Sequence, residues 1–210
     1  AANASEHVFN VTVDYVNISG FTVTGGTEHA GIWLDDVEFC NISNNNASNN
    51  EDGIVLKDSS NNVLIDNIVS NNNWWSGIYL AESNNNTLMN NIVSNNWWSG
   101  IYLDESNNNT LMNNSASNNK VGIDLADSNN NTLMNNIVSN NWWSGIYLQE
   151  SSNNTLTDNG VSDNEVGVIF ADSSHFKLAN NTFVNDGLIV YESYENTVQG
   201  NTVNGKPLVY

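Results

Sequence analysis

A carboxylate stands five residues after each of eight glycines that recur every 20–24 residues along this 210-residue chain, and serine follows seven of the eight carboxylates. We call this set the acidic file: Asp36, Asp58, Glu82, Glu105, Asp127, Glu150, Asp172 and Glu192. Carboxylate oxygens are ligands that calcium prefers, so one interpretation is a row of weak calcium sites. The other interpretation is a row of solvated turn residues whose side chains cap backbone donors. The spacing is compatible with both.

Aromatic residues are the second chemically distinctive group. Tryptophan pairs precede a repeated glycine at three places, and a tyrosine follows each glycine by two residues: Trp74, Trp75, Trp97, Trp98, Trp142 and Trp143, with Tyr79, Tyr102 and Tyr147. So many exposed tryptophans reduce solubility unless something covers them. Sugar rings and protein surfaces both pack on aromatic faces. We therefore expect these nine residues to form one stripe that binds carbohydrate or a partner, with simple packing over the strand as the alternative.

Other residues suggest weaker chemistry. Met89, Met112 and Met134 recur at one repeat position, and thioethers suit copper(I). His7, His29 and His175 are expected to lie too far apart to complete such a site. The adjacent pair Asp35-Asp36 could serve a hydrolase only if its surroundings separated the two pKa values. No catalytic residue is therefore assigned, and a polysaccharide-degrading lyase or hydrolase stays the alternative to a non-catalytic role.

An internal repeat sets the elements that must position these residues. Gly77-Ile-Tyr-Leu-Ala-Glu-Ser returns in close copies at Gly100 and Gly145, and in looser copies elsewhere, at spacings of 20–24 residues. Units this short, rich in Asn, Ser, Thr, Ile and Val, suit three short strands joined by tight turns. The repeat predicts one all-β domain over 1–210: a right-handed, single-stranded parallel β-helix of about nine coils. The domain is either whole or part of a longer protein.

Alternation along each strand assigns the core and a ladder. In each Gly-Ile-x-Leu unit the Ile and Leu should point inward, as in Ile78 and Leu80. Asparagine recurs three residues after the inward residue of the second strand, at Asn45, Asn67, Asn91, Asn114, Asn136, Asn159, Asn181 and Asn201. We expect these amides to bond to one another across coils, in left-handed turn geometry.

The two ends of the rod are expected to be uncapped. Phe21 replaces the ladder asparagine in the first coil, and residues 205–210 look like the first strand of a tenth coil. Either neighbouring coils of a longer protein cover the ends, or molecules stack head to tail.

Charge limits the partners and the location. The chain has 23 acidic residues against four Lys and Arg together, a formal net charge of −19. This excludes nucleic acid and anionic membranes as partners, and no apolar run is long enough to span a bilayer. Cys40 has no disulfide partner within the chain and should be an inert core thiol. Asn-x-Ser/Thr sites are candidates for glycosylation, at Asn3, Asn10, Asn17, Asn41, Asn46, Asn85, Asn108, Asn113, Asn130, Asn153 and Asn180.

Two segments carry a family resemblance: Tyr15-Val-Asn-Ile-Ser-Gly-Phe-Thr-Val-Thr-Gly, and Asn-Asn-Thr-Leu-Met-Asn-Asn-Ile-Val-Ser-Asn-Asn at 85–96. They resemble the repeats of exported archaeal parallel β-helix proteins, especially methanogen surface proteins, related to NosD-like and carbohydrate-associated β-helix families. The resemblance implies a right-handed coil and an extracellular or cell-surface location. That superfamily includes lyases, hydrolases, a copper-loading accessory protein and passive surface modules. The leading prediction is a non-catalytic surface module with a structural or adhesive role, acting through self-association or glycan contact.

Overall fold

The computed structural model describes residues 6–210, which form a parallel β-solenoid of about nine coils. Each coil passes through three strands, and each strand pairs in register with its equivalents in the neighbouring coils. The three strands of successive coils build three sheets, here called A, B and C. The predicted fold is confirmed, and no helix occurs within the described range.

Sheet A contains Phe9–Val11, Ile32–Asp35, Ile54–Lys57, Ile78–Ala81, Ser99–Asp104, Val121–Ala126, Ser144–Gln149, Val166–Ala171 and Leu188–Tyr191. Sheet B contains Asn17–Ser19, Asn41–Ser43, Val63–Ile65, Thr87–Met89, Thr110–Met112, Thr132–Met134, Thr155–Thr157, Lys177–Ala179 and Thr197–Gln199. Sheet C contains Thr22–Val23, Asn46–Ser48, Ile68–Ser70, Ile92–Ser94, Ser115–Ser117, Ile137–Ser139, Gly160–Ser162, Thr182–Val184, Thr202–Val203 and Lys206–Pro207.

Stacked aliphatic side chains fill the interior. Ile78 and Leu80 are fully buried, and so are the equivalent residues one coil on, Ile101 and Leu103. Alternation along the strand therefore assigned the two faces correctly. Cys40 is also buried, as predicted. Because every coil contacts mainly its neighbours, the core is a continuous column and not a single central cluster.

The glycine that opens a repeat is required by close packing, except at Gly187 in the last coil, where a Cβ atom would meet nothing within 4 Å. A Cβ atom on Gly77 would lie 2.3 Å from Cγ1 of Val93 and 2.7 Å from Nδ2 of Asn96. No side chain fits at these distances, so the tight approach of the turn to the next coil explains why this position is glycine.

The predicted asparagine ladder between sheets B and C is confirmed by its hydrogen bonds. Nδ2 of Asn91 donates to Oδ1 of Asn114 at 3.0 Å and to the Leu88 carbonyl at 2.9 Å. The expected left-handed geometry of these residues is wrong: positive φ falls on the preceding residue, as at Asn90 and Asn113. The ladder residue turns inward, and its exposed neighbour makes the bend.

Three further rows of polar side chains run inside the turns. A second asparagine row follows sheet C, at Asn50, Asn72, Asn96, Asn119, Asn141 and Asn164. A third precedes sheet B, at Asn62, Asn86, Asn109, Asn131 and Asn154. A serine row follows the acidic file, with the backbone N–H of Ser83 donating to Oγ of Ser106 at 2.9 Å. These rows satisfy backbone donors that the turns would otherwise bury without partners.

The C-terminal segment differs from its prediction. Residues 205–210 do not begin a tenth coil. Lys206–Pro207 pairs antiparallel with Thr202–Val203, and the backbone N–H of Leu208 donates to the Asn201 carbonyl at 2.8 Å. Gly205, at φ 74°, provides the reversal that directs the chain back over the last strand of sheet C.

Candidate functional site

The outer face of sheet A carries one file of outward side chains in register. Tyr79 pairs with Tyr102, Tyr102 with Asp124, and Asp124 with Tyr147. The Tyr79 and Tyr102 rings stack with centroids 5.0 Å apart and planes 11° apart. Asp124 therefore interrupts a tyrosine file at its third position.

The second tryptophan of each pair borders this file. Trp143 meets Tyr147 edge-on with centroids 5.1 Å apart, and Trp75 and Trp98 are 6.5 Å apart. Lys120 lies between the tryptophans of the neighbouring coils. Its backbone N–H donates to the Trp98 carbonyl, and its backbone carbonyl accepts from the backbone N–H of Trp143.

The first tryptophan of each pair contacts different surroundings. Trp97 and Trp142 line a depression among turn asparagines, and Trp74 lines another with Thr27 and Glu28. The two tryptophans of a pair thus line different depressions, although the Trp142 ring also lies 5.8 Å from Lys120 Nζ. A single binding stripe stays a prediction. Alternation fixes sides only within a strand, and these pairs lie in a turn, where consecutive residues diverge.

Two depressions open along the outer face of sheet A. The first depression, about 260 Å³, is lined by Glu51, Asp52, Trp75, Ser76, Tyr79 and Tyr102. The second depression, about 370 Å³, has Trp98, Tyr102, Lys120, Asp124, Trp143 and Tyr147 in its lining. Each combines aromatic walls with a carboxyl group, and Tyr102 belongs to both.

Asp124 supplies the buried carboxyl group of the second depression. Burial raises its pKa to about 6, while the hydrogen bond from Ser99 and the charge of Lys120 act in the opposite direction. Ser99 Oγ donates to Asp124 Oδ2 at 3.0 Å. This carboxyl group therefore changes charge near pH 6, which suits it to accept hydrogen bonds from a ligand or to transfer protons.

Asp52 has the equivalent role in the first depression. Burial raises its pKa to about 6. The hydrogen bond that its Oδ1 accepts from the backbone N–H of Ser76, at 2.8 Å, lowers the pKa in part. Burial also raises the pKa of Tyr79, whose hydroxyl donates to Asp104 Oδ2 at 3.1 Å. The tyrosine stays a neutral donor over the ordinary pH range.

The acidic file lies elsewhere, at the end of each sheet A strand. All eight residues are exposed and have left-handed φ values of 44–53°. Across residues 6–210, no group of three or more His, Cys, Asp or Glu side chains is arranged to hold a metal ion. Calcium binding by stacked pairs of these carboxylates stays a prediction.

The candidate copper donors do not converge. Met89, Met112 and Met134 form a half-buried row on sheet B, as their spacing predicted. The expectation that the histidines are all far apart is wrong for His7 and His29, whose ring centroids are 5.0 Å apart, because they lie one coil apart. His7 stacks on Trp33 of sheet A, so this pair is not on the methionine face. The donor set does not fit a copper site.

Most candidate glycosylation sites are accessible. Asn46 is half-buried, and nine others are exposed: Asn10, Asn17, Asn41, Asn85, Asn108, Asn113, Asn130, Asn153 and Asn180. Asn3 lies outside the described residues. Glycosylation itself stays a prediction.

Sequence reasoning missed Asp52, Lys120 and Asp124 as site residues. A signal was present, because one coil reads Lys120-Val-Gly-Ile-Asp-Leu where its neighbours read Trp-Trp-Ser-Gly-Ile-Tyr-Leu. This coil is one residue shorter at the turn, and it exchanges aromatic residues for two residues of opposite charge, Lys120 and Asp124.

Comparison with known proteins places the chain in a class. It is a parallel β-helix repeat protein. Residues 77–208 match the family described as the right-handed β-helix region, and residues 2–142 match the family of the periplasmic copper-binding protein NosD, so the chain belongs to both families. No curated protein matches the sequence.

Solved structures share the fold at low sequence identity. The Dettilon tailspike protein is 20% identical, with a TM-score of 0.80 over 90% of this chain and 46% of its own. The A-module of a mannuronan C-5 epimerase from Azotobacter vinelandii is 16% identical, with a TM-score of 0.74 over 93% and 58%. A DFA-IIIase from Arthrobacter chlorophenolicus, solved without its lid, is 13% identical, with a TM-score of 0.76 over 97% and 60%. The chain thus spans about half the length of these proteins.

Proposed function

We propose that this protein is an exported surface module that binds a polysaccharide along the outer face of sheet A without altering it chemically. The observation that supports this most is the file of Tyr79, Tyr102 and Tyr147, which is bordered by Trp75, Trp98 and Trp143. The apolar C–H faces of sugars pack on aromatic rings. Because the coils repeat about every 4.8 Å, a polymer lying parallel to the axis can contact several coils at once.

Two comparisons support this proposal. Mannuronan and alginate, which appear in the names of the epimerases that share the fold, are polysaccharides. The NosD family is described as periplasmic, which favours export, and residues 6–210 contain no helix long and apolar enough to span a bilayer. We place the protein at the cell surface or outside the cell, where self-association is the competing use of the same aromatic residues.

Two matched double variants test the proposal. Replacing Trp75 and Trp98 with alanine should weaken binding to a polysaccharide panel at least tenfold, because these residues border the tyrosine file. Replacing Trp74 and Trp97 removes the same number of rings from other depressions and should leave glycan affinity within about twofold. Affinity electrophoresis measures binding, circular dichroism checks the fold, and sedimentation detects self-association.

Equal loss of binding in both double variants would contradict the assignment to sheet A. If the parent protein binds no polysaccharide and either variant loses self-association, the aromatic residues serve self-association instead.

An enzyme is the second candidate, and Asp124 is the observation that favours it. A carboxyl group with a pKa of about 6 beside tyrosine hydroxyls resembles the acid or base of sugar chemistry. Incubating the bound polysaccharide with the protein should release no new reducing or unsaturated ends. If the parent protein releases them and Asp124→Asn does not, the enzyme is the correct assignment.

A further inference from the structure

Lys120 places a primary ammonium group inside the second depression. Its Nζ lies 3.1 Å from the centroid of the Trp98 ring, and 5.8 and 5.7 Å from those of Trp142 and Trp143. The charge of Lys120 favours the ionised form of Asp124, which opposes the effect of burial on that carboxyl group. Aromatic faces with a nearby carboxylate form a favourable environment for an organic cation, and here the chain itself provides that cation.

The first depression has the same components without a resident cation. Trp75, Tyr79 and Tyr102 supply aromatic faces, and Asp52 and Glu51 supply carboxyl groups. Within residues 6–210 the ion pairs are Lys57–Asp58 and His175–Glu195, so neither carboxyl group of this depression has a salt-bridge partner.

The tryptophans of the two depressions differ in their exposed fraction. Trp98, covered by the Lys120 ammonium, is 36% exposed, whereas Trp75 is 55% exposed. The residue that corresponds to Lys120 in the coil after Trp75 is Trp98, whose ring centroid lies 6.5 Å from that of Trp75. The Trp75 ring is thus more exposed, next to two carboxyl groups and without an ammonium over it.

We propose that the first depression binds an ammonium group carried by the ligand. This rests on the proposed glycan binding and names its class: a polysaccharide with free amino groups. A net charge of −19 agrees with this, because the chain attracts polycations and repels polyuronates.

The site should depend on pH through its carboxyl groups. Asp52 has a pKa of about 6, raised mainly by burial and also by Glu51, whose own pKa is raised by burial. Asp104, on the hydroxyl of Tyr79, and Glu28, near Glu51, are further acids here, and the charge of His29 lowers the pKa of Glu51 in part. For a permanently charged ligand, affinity should therefore rise as the pH increases through about 6 and then level off.

A disaccharide with N-trimethylated glucosamine units is the probe, because its charge does not change with pH. The N-acetylated disaccharide is the neutral control. Calorimetry on the full chain at pH 7.5 should show one site that prefers the charged disaccharide at least tenfold. Asp52→Asn keeps an acceptor for the Ser76 N–H, so the fold should persist while the preference falls to about twofold or less.

A second variant tests the comparison between the depressions. Lys120→Ala removes the resident ammonium and should create a second site, raising the stoichiometry from one to two. Adding Asp124→Asn to it should return the stoichiometry to one.

Three results would overturn the inference: equal affinity for both disaccharides, an unchanged preference in Asp52→Asn, or one site in Lys120→Ala. Binding of neutral polysaccharides together with any of these would leave the proposed function standing. A protein that binds no polysaccharide, charged or neutral, would instead refute the proposed function.

Discussion

Asp124 is a buried carboxyl group at a position where neighbouring coils carry tyrosine. Its hydrogen bond from Ser99 and the charge of Lys120 only partly offset the loss of hydration. A residue that lowers stability at neutral pH, placed in the middle of an aromatic surface, is better explained by ligand contact than by folding.

The loss of stability caused by ionised Asp124 can be measured by comparing the free energy of unfolding at two pH values. The pKa of Asp124 is about 6 in the folded protein, above its ordinary value of 3.8. The folded state therefore holds the proton more tightly, and stability falls as the pH rises from about 4 to about 6. Asp124→Asn should raise the free energy of unfolding by about 1–3 kcal/mol at pH 8 and leave it nearly unchanged at pH 4.

Urea unfolding at the two pH values provides the measurement. Asp127→Asn is the control, because it removes one charge from the same coil at an exposed position. If both variants change stability equally at pH 8, the effect comes from net charge and not from burial.

At the scale of the elements, the turns carry as much specificity as the strands. From Asn67 to Asn201, each asparagine of the ladder accepts a backbone N–H and a side-chain N–H from the preceding coil. Its own amide donates to a carbonyl there, as Asn114 does with Asn91 and Leu88. The exposed residue before it adopts the left-handed bend. Two adjacent asparagines thus have unrelated physical roles.

Adjacent glycine substitutions should separate these roles. Asn114→Gly leaves two donors of Asn91 without an acceptor in a buried turn, and should cost about 2–4 kcal/mol of unfolding free energy. Asn113→Gly should be close to neutral, because Asn113 has φ 56° and Gly200 occupies the equivalent position in the last coil. Thermal melting of the two variants checks this, and similar losses in both would contradict the division of roles.

How far the sequence could predict the molecule also depends on the element. Strand positions such as Ile78 and Leu80 follow from alternation and were assigned correctly. Runs such as Asn84-Asn85-Asn86 contain no local signal for the residue that turns inward, so two asparagine rows were missed. The candidate site was predicted only in part, because side-chain directions at Trp74-Trp75 depend on how the turn packs against the next coil.

For the whole molecule, repulsion among carboxylates is the main long-range force. The acidic file puts neighbouring exposed charges in successive coils, each pair costing roughly 1 kcal/mol in a water-like dielectric and less in salt. A cation that bridges adjacent coils would remove part of this cost.

Calcium should therefore raise the melting temperature of the protein. The rise is expected at millimolar calcium, the affinity typical of extracellular sites. Calorimetry with calcium, and with chelator plus sodium chloride at equal ionic strength, separates bridging from screening. Equal melting temperatures would leave the acidic file as solvated turn residues. Replacing Glu82 and Glu105 with glutamine should reduce any calcium-specific rise.

The in-register stacking of coils has a consequence for the gene. Since the coils at 77–99 and 145–166 carry nearly the same strand sequence, gain or loss of one whole unit would leave every neighbouring coil with an equivalent partner. Natural length variants should therefore differ by whole units. Shorter insertions and deletions should fall in the turn before the repeat glycine, where Lys120-Val121 already replaces Trp-Trp-Ser. Recombination can thereby lengthen the ligand-binding face without any new fold having to be selected.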